Sequence, residues 1–283
     1  MRLTHFLKLV LPPILVEALK AARRVVAGPR DGLIYAPRDR QSDVSPDCGI
    51  GYDDPTFVAR ERSASEPYFR RLQGAPPVEL VDSRDAADER KIAEHNEYVT
   101  FAYVLALAAQ RKAMLKLLDF GGGLGHYYWI GKAVLPAVAL EYHCREVPRV
   151  AEEGRRLNPG ITWYADDSCF AQSYDLVMFL SSLQCLKDWH DTLGRAAKAS
   201  REYLLLMGVP TVERVPGYTA IQRYKGAVLL HQQFNRDELF AAIRRSGFSP
   251  IMDFFAGLYP PVAGAPEQPK RGGWLFRRDG LAE

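Results

Sequence analysis

The residues best placed to do chemistry form one run, Asp119-Phe120-Gly121-Gly122-Gly123-Leu124-Gly125. An apolar segment ends in an acid, glycines follow, and a helical pattern begins at His126. Glycines permit a tight turn and let a ligand approach the backbone, and a helix N-terminus offers unpaired N–H donors. In a doubly wound sheet, nucleotide-like ligands bind in such a strand–helix crevice. The spacing selects among ligands. A dinucleotide fingerprint needs G-x-G-x-x-G, but the third position is His126 counted from Gly121 and Tyr128 counted from Gly123. A phosphate-binding G-K-[ST] is absent. The pattern present is D-x-G-x-G-x-G.

Acids also sit at the next two strand exits. Glu146 ends the segment 138–146, twenty-one residues after Gly125, close to the spacing of ribose-binding acids in nucleotide folds. It suits two ribose hydroxyls, or is a surface carboxylate at a strand exit. Asp166 and Asp167 follow the third strand, and Asp167 is chosen for the adenine amino group, although Asp is also common in turns.

These features resemble motif I and its companions in the class I S-adenosylmethionine-dependent methyltransferases. The resemblance covers roughly 85–283 and implies a Rossmann-like α/β fold, a seven-stranded mostly parallel sheet with one antiparallel edge strand. It implies S-adenosylmethionine held by Asp119, Gly121, Gly123, Gly125, Glu146 and Asp167, with no metal. L-D-F-G-G-G-x-G, the stretch Phe179–Gln184 and F-N-R-D-E-L are similar to a bacterial methyltransferase family found in surface-polysaccharide biosynthesis sets. The acceptor implied is a sugar or other small-molecule hydroxyl. A module of the same fold without activity and an NAD(P)-dependent oxidoreductase are the alternatives.

Transfer to a hydroxyl needs a proton acceptor. Among six histidines, His231 is the candidate, at the end of a polar stretch, 211–234, that also holds Arg214, Tyr218, Arg223, Tyr224 and Lys225. Ser181, Ser182 and Gln184 are expected at the border of cofactor and acceptor. Tyr127 and Tyr128 either pack their helix or face a sulfonium, where a ring gains cation–π energy.

These residues need elements to hold them. Apolar strand-like runs fall at 114–120, 138–146, 161–164, 174–180 and 202–209, with helical segments near 125–135, 148–157 and 188–199. Such alternation predicts a parallel sheet covered on both faces. A long helix is expected over 86–112, with Ile92, Val99, Ala102, Tyr103 and Ala106 on its inner face. Asn235 and Glu238 read as a capping box with a Phe234–Leu239 staple, and Gly247 as a stop. Strands at 249–255 and 273–278 close the chain as an antiparallel pair. Residues 27–80 are rich in Gly and Pro and suggest a loop-rich extension with one short helix near 56–62. The chain thus divides into an extension, 1–84, and a ligand-binding domain, 85–283.

Composition sets the outer bounds. The 283 residues are 47% hydrophobic and 25% charged, which excludes wholesale disorder. Lys and Arg number 37 against 34 acids, too small an excess for a nucleic-acid binder. Residues 1–30 carry six basic residues against Glu17 alone, a net +5, so the rest carries −2. That basic, apolar start either lies on an anionic membrane surface or packs as a helix on the body. The run Leu9–Val16, broken by Pro12-Pro13, is too short to span a bilayer. Cys48, Cys144, Cys169 and Cys185 form no C-x-x-C pair, which favours reduced thiols and a cytoplasmic setting.

Overall fold

A computed structural model describes residues 32–37, 51–73, 89–224, 227–255 and 259–281. The basic segment 1–30 and Cys48 lie outside them. In chain order the elements are β1 (Gly32–Tyr35), α1 (Pro55–Leu72), α2 (Glu89–Ala108), β2 (Met114–Phe120), α3 (His126–Val134), β3 (Ala139–Arg145), α4 (Pro148–Leu157), β4 (Thr162–Tyr164), β5 (Tyr174–Leu180), α5 (Trp189–Ala199), β6 (Ser200–Val212), β7 (Tyr218–Tyr224), β8 (Ala227–Asn235), α6 (Arg236–Arg245), β9 (Phe248–Phe255), β10 (Val262–Ala263) and β11 (Lys270–Arg278).

The central sheet runs β4-β3-β2-β5-β6-β11-β9, all parallel except β11. This is the expected α/β class with seven strands and one antiparallel member. The antiparallel strand sits one place in from the edge, paired to β6 on one side and β9 on the other. The strands are apolar on both faces because helices cover both. Leu115, Leu117, Leu176, Met178 and Leu205 pack under α2, α3 and α4. Leu118, Val177, Phe179, Leu204 and Leu206 pack under α5 and α6. Neighbours in sequence thus alternate between two cores, as a pleated strand requires.

Four further strands extend the sheet. β7 and β8 form an antiparallel hairpin, β1 pairs with β7, and β10 pairs with β1. The hairpin joins the central sheet at Thr211↔Phe234 and Val212↔Asn235. Its partner β6 has lost β5 beyond Met207, so β8 takes the vacated edge above the end of β5.

Local chemistry sets the helix ends. The Asp54 carboxylate accepts from the Thr56 and Phe57 N–H groups at 2.8 and 3.1 Å, and Pro55 follows it. These bonds hold the Asp54 carboxyl below its usual pKa. From that cap α1 runs through Pro67 to Leu72, well past the short helix expected at 56–62. Asn235 Oδ1 accepts from the Asp237 and Glu238 N–H groups at 3.1 Å each, with Phe234 and Leu239 in one core cluster. In α2 the buried stripe is Tyr98, Phe101, Val104, Leu105 and Ala108. This corrects the expected inner face: Val99 and Tyr103 are 50% and 51% exposed. The helix is apolar on more than one side, and the larger continuous stripe takes the sheet.

Among the described residues no helix is long and apolar enough to cross a membrane. The described parts of segment 1–84 are built into the fold: β1 pairs with β7, and α1 packs on α3 and α4.

Candidate functional site

The strand order reverses between β2 and β5, which opens a crevice at the carboxyl ends of the parallel strands. A cavity of about 630 Å³ lies there. Gly121 and Gly123 line it after β2, Glu146 after β3, Ala165 after β4, and Ser181 and Ser182 after β5. The far wall comes from α1 and the residues before it: Tyr52, Asp53, Phe57, Val58 and Glu61.

The glycine loop is held by its own backbone. Gly121 N–H donates to Arg145 O at 2.8 Å, and Gly123 N–H to Glu146 Oε1 at 2.9 Å. Gly121, Gly123 and Gly125 have φ of +78°, +58° and +89°, a region closed to most side chains. A Cβ on Gly121 would lie 2.4 Å from Ser182 Cβ. One on Gly125 would lie 2.6 Å from Ile161 Cδ1. A Cβ on Gly123 would meet nothing nearer than His126 Nδ1 at 3.9 Å, so that glycine keeps the cavity floor clear.

Glu146 also accepts from the Val147 N–H at 2.9 Å, through Oε2. One carboxylate therefore ties the β3 exit to the glycine loop. Each oxygen uses one lone pair on backbone and keeps capacity for another donor. Burial raises its pKa despite those bonds.

Asp119 lies beneath the loop, fully buried. Tyr142 donates to its Oδ2 at 2.6 Å, and Oδ1 is buried with no hydrogen-bond partner among the described residues. Burial pushes its carboxyl up to about 7. The side chain supports the underside of Gly122, whose Cβ, if present, would lie 2.2 Å from Oδ2.

Of the seven sequence candidates, Gly121, Gly123 and Glu146 line the cavity, whereas Asp119, Gly125, Asp167 and His231 do not. Asp167 pairs with Arg195 at 2.7 Å and Arg145 at 3.2 Å. Two guanidinium groups thus occupy the carboxylate expected to meet an adenine amino group, and one of them, Arg145, lines the cavity itself. His231 is 3% exposed on β8, where its Nδ1 lies 3.0 Å from Tyr259 Oη and 3.2 Å from Gln233 Nε2. Burial depresses its pKa to about 3. His231 thus lies buried off the cavity lining, not where the expectation placed a proton acceptor. Sequence carries no clear signal of this burial, because Val228-Leu229-Leu230-His231-Gln232-Gln233 has no polar and apolar alternation.

Tyr127 packs edge-on against Phe101 and Tyr98, and Tyr128 against Trp129 and Tyr142; both serve the packing of α3. His126 does line the cavity. Its Nε2 lies 3.1 Å from Ser65 Oγ on α1, and Tyr68 and Phe69 pack against its ring. Sequence reasoning missed the α1 contribution to the wall, since the short apolar pair Phe57-Val58 in a Gly- and Pro-rich region carries no periodic mark of a cavity.

No family model matches the chain, and no curated protein matches it. Solved structures do resemble it. Magnesium protoporphyrin IX methyltransferase from Synechocystis PCC 6803, with bound SAM, aligns at TM-score 0.48 and 15% identity, over 77% of this chain and 97% of that one. The 1,6-didemethyltoxoflavin-N1-methyltransferase of Burkholderia thailandensis aligns at TM-score 0.46 and 15% identity, over 89% and 94%. An amino pentose methyltransferase of Micromonospora echinaspora, involved in calicheamicin biosynthesis, aligns at TM-score 0.44 and 17% identity, over 72% and 100%.

Proposed function

We propose that the chain is an S-adenosylmethionine-dependent methyltransferase acting on a hydroxyl of a sugar or another small molecule. The observation that carries this reading is the meeting of Gly123 and Glu146 on one cavity floor, an open backbone cradle beside a carboxylate. Gly121 and Gly123 admit the methionine portion of the cofactor against the backbone, and Glu146 accepts from the ribose hydroxyls. Asp119 acts from beneath, by fixing the loop. When bound, the cofactor supplies a methyl group made electrophilic by its sulfonium.

The chain's own work is alignment and exclusion of water. Phe57, Val58, Leu124 and Val150 give the cavity apolar walls. A proton leaving the acceptor hydroxyl passes to His126, which we assign as base in place of His231. Ser65 and the Tyr68 and Phe69 rings hold His126 in orientation. The basic segment 1–30 is proposed to bring the enzyme to anionic membranes. Sedimentation with vesicles containing or lacking phosphatidylserine tests that part.

Calorimetric titration with S-adenosylhomocysteine and with NADH tests the cofactor assignment. Saturable binding of the first and none of the second is expected; the reverse result replaces methyl transfer with hydride chemistry. Labelled S-adenosylmethionine with nucleotide-activated hexoses then tests transfer. Binding without transfer to any of them favours a cofactor-binding module without activity.

A further inference from the structure

Ser181 is one of two non-glycine residues with a left-handed backbone among the described residues, at φ +58°. Such a conformation is strained for serine and persists where the surroundings enforce it. Here they do. Its N–H donates to Met207 O at 2.7 Å. Arg271 Nη2, on β11, donates to its Oγ at 3.0 Å. The same guanidinium lies 2.5 Å from Glu97 Oε1 on α2. Gly208, in β6, leaves the room: with φ +72°, a Cβ there would lie 2.0 Å from Ser181 Oγ and 3.0 Å from Arg271 Nη2. Three elements fix one hydroxyl, and that hydroxyl lines the cavity with its side chain exposed.

A serine hydroxyl has one proton to give and two lone pairs to receive. A guanidinium only donates, so Ser181 Oγ is the acceptor in that bond and its own proton is directed elsewhere. No described residue accepts that proton. A hydroxyl that receives a charged hydrogen bond is also a stronger donor.

We propose that Ser181 is an acceptor-binding residue: it donates to a saccharide oxygen that neighbours the methylated hydroxyl. Arg271 and Glu97 are positioning residues that act through it. This rests on the methyltransferase reading and deepens it, because it selects acceptors that carry a second oxygen beside the nucleophile.

The test uses the full chain loaded with S-adenosylhomocysteine and titrated with methyl β-D-glucopyranoside, a simple array of neighbouring hydroxyls, by saturation-transfer NMR. Ser181→Ala keeps the backbone strain and removes the donor; glucoside affinity should fall about tenfold while S-adenosylhomocysteine affinity holds. Ser181→Gly should show the same loss with thermal stability equal or higher, since glycine relieves the strain. Glu97→Gln/Arg271→Met, which removes both charges of this pair together, should weaken glucoside binding and spare the cofactor analogue. Unchanged glucoside affinity in the Ser181 variants overturns the proposal, as does a loaded parent protein that does not bind the glucoside. Failure to bind S-adenosylhomocysteine is a different result: it removes the methyltransferase reading, and this proposal with it.

Discussion

Alanine at position 123 adds one methyl group to the cavity floor, and its cost separates into two parts. The backbone part comes from φ +58°, where an L-residue costs roughly 1–2 kcal/mol. For a domain of this size that lowers Tm by roughly 2–8 °C. The packing part within the free protein is near zero, because the nearest side-chain atom lies 3.9 Å away. The ligand meets the new methyl instead, and overpacking of roughly 1–3 kcal/mol corresponds to roughly 5- to 150-fold weaker binding. Neighbouring glycines give the controls. Gly121→Ala carries the same backbone cost plus a 2.4 Å collision with Ser182 Cβ. Gly122→Ala has no left-handed penalty but drives a methyl to 2.2 Å from the buried Asp119 carboxylate. Thermal unfolding should therefore rank Gly123→Ala as the mildest, while calorimetry with S-adenosylhomocysteine shows it clearly impaired. If Gly123→Ala binds like the parent after a small drop in Tm, the ligand does not rest on this loop and the site assignment is wrong.

Other expectations follow from the same geometry. Glu146→Gln presents an amide in place of one acceptor oxygen, and S-adenosylhomocysteine affinity should fall by roughly 1.5–3 kcal/mol in calorimetry, the worth of a hydrogen bond to a charged group. Asp119 keeps its proton up to about 7 in the folded chain, against 3.8 ordinarily, so the fold binds the extra proton between those values. Its contribution is greatest at low pH and is lost as pH rises toward 7. Asp119→Asn should flatten that part of a Tm-versus-pH curve and raise Tm at pH 8. His231 behaves oppositely: its folded pKa of about 3 means stability present above its ordinary 6.5 is lost as pH falls below that. His231→Ala should leave kcat for methyl transfer intact and cost roughly 1–3 kcal/mol of stability, because Tyr259 and Gln233 lose the ring nitrogen they share. A large kcat loss without a Tm change would restore His231 as base.

The central sheet was legible because its strands are continuous apolar runs, and observed bounds such as Met114–Phe120 and Tyr174–Leu180 coincide with them. The strands β7 and β8 were not legible as strands. Their polar residues break the apolar pattern, and the partners come from elsewhere: Gln222 accepts from Tyr52, Gln232 from Thr219, and Tyr259 lies beside His231 and Gln233. Gly121, Gly123 and Glu146 could be placed because backbone needs and strand ends fix them. Asp167 could not, since its partners Arg145 and Arg195 come from distant positions. Ser181 carries no mark of its backbone in the sequence; only Gly208 and Arg271, brought beside it by β6 and β11, produce that conformation.

The cavity is assembled from two kinds of material. Its floor comes from the strand ends of the central sheet, whereas Tyr52 joins the opposite wall to the hairpin by a 3.5 Å contact with Gln222. Neither Tyr52 nor Gln222 belongs to the glycine loop or to the strand exits around it. The floor and the opposite wall therefore come from separate stretches of chain, and Tyr52 can change without touching Gly121, Gly123 or Glu146. A substitution at Tyr52 or Phe57 thus reshapes the cavity from one side, while the backbone cradle at Gly121 and Gly123 keeps its form.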